Sequence, residues 1–335
     1  MVEATGILRR LIAAATLPAS DEATASIKVP SELCNEGETA SRAHVAMALN
    51  MLLFADLLAR VPTAATFVAS VAARGESIQF DHGALRTIDG PTGALPRGIG
   101  AFARILGPLG YDVGGTYPLP RLRMTGTAFT HRDFPEEVPQ FFVSELHVAQ
   151  LPGEAQAAAR NVFDNSVDPL GPVEQLLLET LANEGSCPLD LATRGLPGLF
   201  HAFARQHPPP ALADYEALLP HSAEAAWIAT EGNAFNHATD RLADVGALAA
   251  SLQEEGYRMK PEVEVSANGR VRQTAFIADK VLREFRLPDG SQVAREVPGS
   301  FYEFISRDVD PATGRLDLSF DSGNATGIFS VTSVR

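Results

Sequence analysis

The chain has 335 residues, 45% of them hydrophobic and 20% charged, with a formal net charge of −14. That length suits one large domain or two smaller ones, and is enough to bury about three quarters of the unfolded surface. The acidity argues against nonspecific binding to nucleic acid or an anionic membrane, yet a few local arginines can still hold a small anionic substrate.

Residues 1–76 are expected to be mainly helical. The clearest element is a helix from Ser41 to Arg60, with Val45, Leu49, Leu52, Leu53 and Leu57 on one stripe. Pro62 ends it, and Thr63 is expected to cap a second helix reaching about Ala73. Then comes a strand through Ser77-Ile78-Gln79-Phe80-Asp81-His82-Gly83-Ala84-Leu85-Arg86-Thr87. A Gly/Pro-rich loop at 90–93 leads to a helix over 99–109, and strands are expected at 118–129 and 140–147. Residues 151–230 show helical patterns at 154–162, 173–182 and 223–229, broken by glycine and proline. We read them as a helical insertion, scaffold or lid. The order of elements then repeats: a strand around His237, a helix over 242–255, and strands at 262–266, 271–277, 281–286 and 301–307. Pro288-Asp289-Gly290 marks a turn. The tail from Leu316 to Val334 reads as further strand.

Two halves, 77–150 and 231–335, therefore look related. His82 and Arg86 recur as His237 and Arg241 at the same spacing, and each copy leads to a helix ending in Gly-Tyr (110–111 and 256–257). Side chains alternate along a strand, so His82 and Arg86 share a face with Cα atoms roughly 13 Å apart. That gap suits a metal-bound imidazole at one end of a small acid and a guanidinium at the other. Neutral imidazole is the commonest metal ligand. A third ligand is needed. Glu303, flanked by Phe301, Tyr302, Phe304 and Ile305, is a candidate because a buried acid is costly unless paired or metal-bound. Two histidines and a carboxylate with open positions are the pattern of non-heme Fe(II) oxygenases. Glu145 and His147, on the matching last strand of the first half, are rival ligands. The remaining histidines (44, 131, 201, 207 and 221) read as surface or hydrogen-bonded core. Cys34 and Cys187 are the only cysteines, which excludes a disulfide framework and points to the cytoplasm. No run approaches 18 uninterrupted apolar residues, and the apolar run Leu11 to Leu17 is short for a secretion signal.

The stretches Phe80 to Thr87, Pro139 to Leu146, Glu231 to Arg241 and Phe301 to Phe304 resemble the 2-oxoadipate dioxygenase/decarboxylase family, also called hydroxyglutarate synthases. The likeness runs from about Ser41 to Arg307. That family is similar to the vicinal-oxygen-chelate enzymes, in which paired βαβββ modules curl around one metal. The resemblance implies an α+β fold of two such modules. It implies that His82, His237 and Glu303 hold Fe(II) and that Arg86 binds the far carboxylate of a 2-oxo diacid. The implied reaction takes up O2 and turns 2-oxoadipate into 2-hydroxyglutarate and CO2, in lysine breakdown. Longer relatives continue past the glutamate strand, so a substrate contact from such an extension is expected to be missing or replaced. Other readings on the same fold are a ring-cleaving dioxygenase, a glyoxalase-like isomerase or a non-catalytic binding protein. Arg86 favours an acidic substrate over a neutral phenol. The oligomeric state is not legible.

Overall fold

The structure, a computed structural model, describes residues 6–15 and 24–321. Helix α1 (Gly6–Ala14) buries Ile7, Leu8, Leu11 and Ile12, and its contacts are with α2 (Arg42–Arg60) and α7. Helix α7 spans Leu189–His201. Helix α2 begins at Ser41, whose hydroxyl accepts the amide of His44, while His44 Nδ1 accepts the amide of Ser41. This reciprocal cap satisfies two donors that a helix start leaves open. Helix α2 is apolar and long enough to cross a membrane by composition, but 83% of its apolar window is buried inside the protein.

Helix α3 (Pro62–Ala73) is capped by Val61, with Pro62 in its first turn. Thr63 is not the cap: its amide and hydroxyl both donate to Asp279, a tertiary partner that local sequence could not reveal. After α3 come strand β2 (Phe80–Asp89) and helix α4 (Gly100–Leu106). The strand expected over 118–129 is two strands, β3 (Tyr111–Leu119) and β4 (Met124–His131). A 3-10 turn at Pro120–Leu122 and the left-handed Arg123 (φ 55°) reverse the chain between them. β5 (Gln140–His147) follows. The central segment is helical: α5 (Gly153–Phe163), α6 (Pro172–Glu184), α7, α8 (Leu212–Leu218) and α9 (Ala223–Glu231). A short strand, β6 (Ser186–Pro188), pairs with β1 (Thr39–Ser41).

The last third holds β7 (Phe235–Arg241), α10 (Val245–Glu254), β8 (Glu264–Val265), β9 (Val271–Ala275) and β12 (Phe301–Arg307). Between β9 and β12 stands a hairpin, β10 (Lys280–Arg286) and β11 (Gln292–Pro298), turning at the Pro288-Asp289-Gly290 signal. Its second strand was not expected from sequence, because the alternation there is polar and only Val297 is buried. Of the expected C-terminal strand, β14 (Arg315–Leu316) pairs with β13 (Val309–Asp310). Positions 322–334 lie outside the described residues.

One curled eight-stranded sheet organises this mixed α+β fold, in the order β3-β4-β5-β2-β7-β12-β9-β8. The central pair β2–β7 is antiparallel, and each is flanked by a parallel partner, β5 and β12. One face carries Phe80, Leu85, Phe235, Tyr302 and Phe304 and packs on α2 and α3 through Phe54 and Phe67. Ile88, Leu146 and Phe301 are on the other face and join a second core with residues of α5 and α9. Burying one such aromatic side chain is worth about 1.5–3 kcal/mol. The cavity described next opens on this second face.

Candidate metal centre

β2 and β7 pair about Gly83 and Ala238, with His82 opposite Thr239 and Ala84 opposite His237. The register slips on both sides of this centre, so that Asp81 and Asn236 are extra residues. A bulge re-aims side chains that strict alternation would separate. Here it turns each histidine onto the cavity face and leaves the preceding polar residue beside it. Asp81 Oδ1 lies 2.9 Å from His82 Nδ1, and Asn236 Oδ1 lies 3.0 Å from His237 Nδ1. With Nδ1 donating, each imidazole turns the lone pair of Nε2 into the cavity. Gly83 leaves room for buried Phe235, since a Cβ there would come within 2.1–2.7 Å of three atoms of its ring.

Glu303 arrives from β12, which pairs in parallel with β7 so that Glu303 lies beside Thr239. The Thr239 hydroxyl donates to Glu303 Oε2 at 2.7 Å and sits 3.1 Å from His82 Nε2. Glu303 Oε2 is 3.4 Å from His82 Nε2 and 3.3 Å from His237 Nε2. One ligand atom from each of the three residues falls within 4.8 Å of the others, and all three residues are buried. Glu303 Oε1 is buried with no hydrogen-bond partner. A buried anionic oxygen without a partner is costly. Two imidazole nitrogens, one carboxylate and one unsatisfied oxygen fit a divalent transition metal with open positions.

Burial would raise the Glu303 carboxyl, but the flanking histidines outweigh it and hold it well below the usual carboxylate range. Burial also pulls His237 down against the opposing charge of Glu303, whereas at His82 burial is outweighed by Asp81 and Glu303, which raise it. An ionised carboxylate and a neutral imidazole are the ligand forms a metal needs.

Asp81 is the hub behind His82. Burial opposes its ionisation, yet the Arg307 guanidinium and the His82 ring keep it strongly ionised. Arg307 donates to it from Nε and Nη2 at 2.9–3.1 Å, and Arg241 Nη1 lies 3.5 Å away. Asp81→Asn should therefore weaken metal binding about 10–100-fold, the usual cost of losing the partner of a ligating histidine. It should also lower stability by about 3–5 kcal/mol, since buried Arg307 loses its counter-charge. Chelator competition and denaturant titration measure the two effects. Unchanged metal affinity would limit Asp81 to holding Arg307.

Asp240 gives a pH signature. Burial pushes its carboxyl up to about 8, although the Gln79 amide donates to it at 3.1 Å. The unfolded carboxyl ionises near 4. Between these values the folded chain holds a proton that the unfolded chain has lost. The stabilising contribution is complete below about pH 4 and disappears as pH rises toward 8. Asp240→Asn should gain stability relative to the parent chain between about pH 5 and 8, by at most ~1.4 kcal/mol per pH unit. Denaturant unfolding at both pH values tests this, and equal slopes for the two proteins would mean that Asp240 is ionised in the fold.

Arg86 and the three candidate ligands line one cavity. Arg86 is 1% exposed, and its guanidinium lies 4.9 Å from the ring centre of Trp227. Burial lowers it to about 10, and buried Glu224 opposes the shift. Trp227 and Glu224 both come from α9, so the central helical segment is more than scaffold. Arg241, the repeat counterpart of Arg86, instead donates to the Glu136 carbonyl at 2.6 Å and supports Asp81. The rival pair lies elsewhere. Glu145 accepts the Ile99 amide at 2.9 Å, and His147 bridges Asp89 and Thr125 at 2.9 and 2.8 Å. Sequence reasoning missed Asn236, Thr239, Arg307 and Trp227, and gave Asp81 no role. The one available signal was the paired Asp81-His82 and Asn236-His237.

The family model for 2-oxoadipate dioxygenase/decarboxylase matches residues 53–316. The chloroplastic 2-oxoadipate dioxygenase/decarboxylase of Arabidopsis thaliana is 26% identical over 215 residues, 58% of this chain and 51% of the relative. The chain thus spans about half the length of that curated relative. A crystal structure described as a glyoxalase superfamily protein, from Ralstonia eutropha JMP134, is 48% identical with a TM-score of 0.89, over 94% of this chain and 98% of that one. The hydroxyglutarate synthase of Oryza sativa, crystallised with 2-oxoadipate, shares the fold at 22% identity and a TM-score of 0.67, over 92% and 95% of the two chains. With the family model covering most of its length, the chain belongs to the 2-oxoadipate dioxygenase/decarboxylase family.

Proposed function

We propose that this chain is an Fe(II)-dependent dioxygenase that converts 2-oxoadipate and O2 to 2-hydroxyglutarate and CO2, in cytoplasmic lysine breakdown. The observation that carries the reading is the convergence of His82, His237 and Glu303 in the cavity that Arg86 also lines. Iron held by the three would supply Lewis-acid binding of the 2-oxo acid and the electrons that O2 chemistry requires.

The chain's own residues do the rest. Asp81 and Asn236 fix the ring orientation of the two histidines. Thr239 orients the Glu303 carboxylate through its hydroxyl. Arg86 supplies a planar fork for the far carboxylate, held over the ring of Trp227. The apolar wall of Ala84 and Phe142 limits water beside the reacting end.

We further read the chain as one catalytic unit with four parts: a helical segment (1–76), a first βαβββ module (77–150), a helical insertion (151–230) and a second module (231–335). The strand order, mirrored about β2–β7, supports this division.

The test is anaerobic reconstitution with Fe(II), followed by O2 uptake and product identification over a panel of 2-oxo acids. One O2 consumed per CO2 released, with 2-hydroxyglutarate formed, is the expected result. Turnover without O2 consumption would favour an isomerase, and no turnover with any member would remove the substrate class.

A further inference from the structure

β12 ends at Arg307, where the sheet meets residues 317–321. The Arg307 side chain is fully buried. While Nε and Nη2 hold Asp81, Nη1 donates to the carbonyls of Asp317 and Ser319 at 2.9 and 2.8 Å. One guanidinium thus joins the carboxylate behind His82 to the backbone of this segment. Phe320 is then fixed from several sides. Its amide donates to the Tyr117 hydroxyl at 3.0 Å, and the Arg307 guanidinium lies 5.1 Å from its ring centre. Its ring is 4.7 Å from Phe142 and stands edge-on to His82 at 4.9 Å. Asp321 accepts the Ala267 amide at 2.8 Å and holds the far end.

The position is informative. Phe142 lies beside Ala84 on β5, as Glu303 lies beside Thr239 on β12. In the mirrored sheet, Phe142 therefore stands where a fourth ligand would stand, and Phe320 covers it. We propose that Phe320 bounds the space above the metal centre and so limits the bulk of the 2-oxo acid that can enter. Arg307 is its positioning residue, linking this roof to His82 through Asp81. The size-selection role rests on the 2-oxo acid reading above, whereas the roof over the metal does not.

A filled pocket separates ligands differing by small groups about 10–200-fold. An unbranched 2-oxo diacid should pass beneath Phe320, and a phenyl-bearing 2-oxo acid should not. The experiment uses the Fe(II)-loaded protein without oxygen and compares the parent chain with Phe320→Ala, Phe320→Leu and Arg307→Lys. Circular dichroism and thermal melting establish that each variant is folded. The first readout is the rate of metal release to a chelator. Phe320→Ala should release metal roughly tenfold faster, in line with losses around ligating histidines, and Phe320→Leu should restore part of the difference. The second readout is the binding ratio of phenylpyruvate to 2-oxoadipate, which should rise about tenfold or more in Phe320→Ala. Arg307→Lys keeps a cation but cannot reach Asp81 and both carbonyls together, so both readouts should shift in the same direction. An unchanged release rate in Phe320→Ala overturns the roof, and an unchanged ratio overturns the size selection. Parent-like behaviour of Arg307→Lys in both overturns the positioning role. If the parent chain binds no 2-oxo acid, the earlier reading fails while the release rates still decide the roof.

Discussion

Glu303→Gln should leave a folded chain that no longer retains Fe(II). The substitution keeps the shape of the side chain and removes its charge. Glu303 is 1% exposed and is, among the described residues, the one carboxylate within reach of both His82 Nε2 and His237 Nε2. A glutamine can turn its amide toward those lone pairs and occupy by hydrogen bonding the positions a metal needs. Folding should suffer little, because a buried charge costs more to desolvate than a neutral amide of the same volume. A bound metal contributes several kcal/mol of charge stabilisation to a reaction. At tenfold per ~1.4 kcal/mol, activity should fall roughly 10²–10⁴-fold. Iron quantified per chain, thermal melting and O2 uptake measure the three parts. His147→Ala is the control, since His147 sits in its own network with Asp89 and Thr125 and should keep full iron. Iron retained in Glu303→Gln but lost in His147→Ala would move the metal site to β5.

The site was more legible than the sheet that builds it. His82, His237 and Glu303 could be named because spacing, repetition and a buried-looking acid are local signals. The bulges at Asp81 and Asn236 could not, since a register shift belongs to a pair of strands and not to either sequence alone. Thr63 shows the same limit: its side chain answers to Asp279, more than two hundred residues away. The turn that divides β3 from β4 begins at Pro120, a break that the single strand expected over 118–129 ran across. Trp227 falls within the helical pattern expected over 223–229, and only tertiary packing brings it to Arg86. The family resemblance supplied ligand roles, but it gave no hint of Arg307, whose partners come from β2 and from residues 317–319.

Arg86→Ala should cost on the order of 30-fold or more in kcat/KM for a 2-oxo diacid and leave iron content near that of the parent. Arg86 and His82 lie on one face of β2, four residues apart, and both line the cavity. On the proposed reading the guanidinium meets the end of the substrate away from the metal. Breaking one side of a buried, charge-assisted pair typically costs about 2–5 kcal/mol, and each 1.4 kcal/mol is about tenfold. A 2-oxo acid without the second carboxylate never made that pair, so its kcat/KM should fall much less. Arg86→Lys separates charge from shape. It keeps a cation but loses both the planar fork and the stacking on Trp227, and should recover only part of the activity on the diacid. The measurement is kcat/KM for a matched diacid and monoacid in all three proteins, with iron quantified in each. Equal losses on the two substrates would give Arg86 a structural role through Trp227 and Glu224. Loss of iron would tie it to the histidines, and either result would reverse the proposed orientation of the substrate.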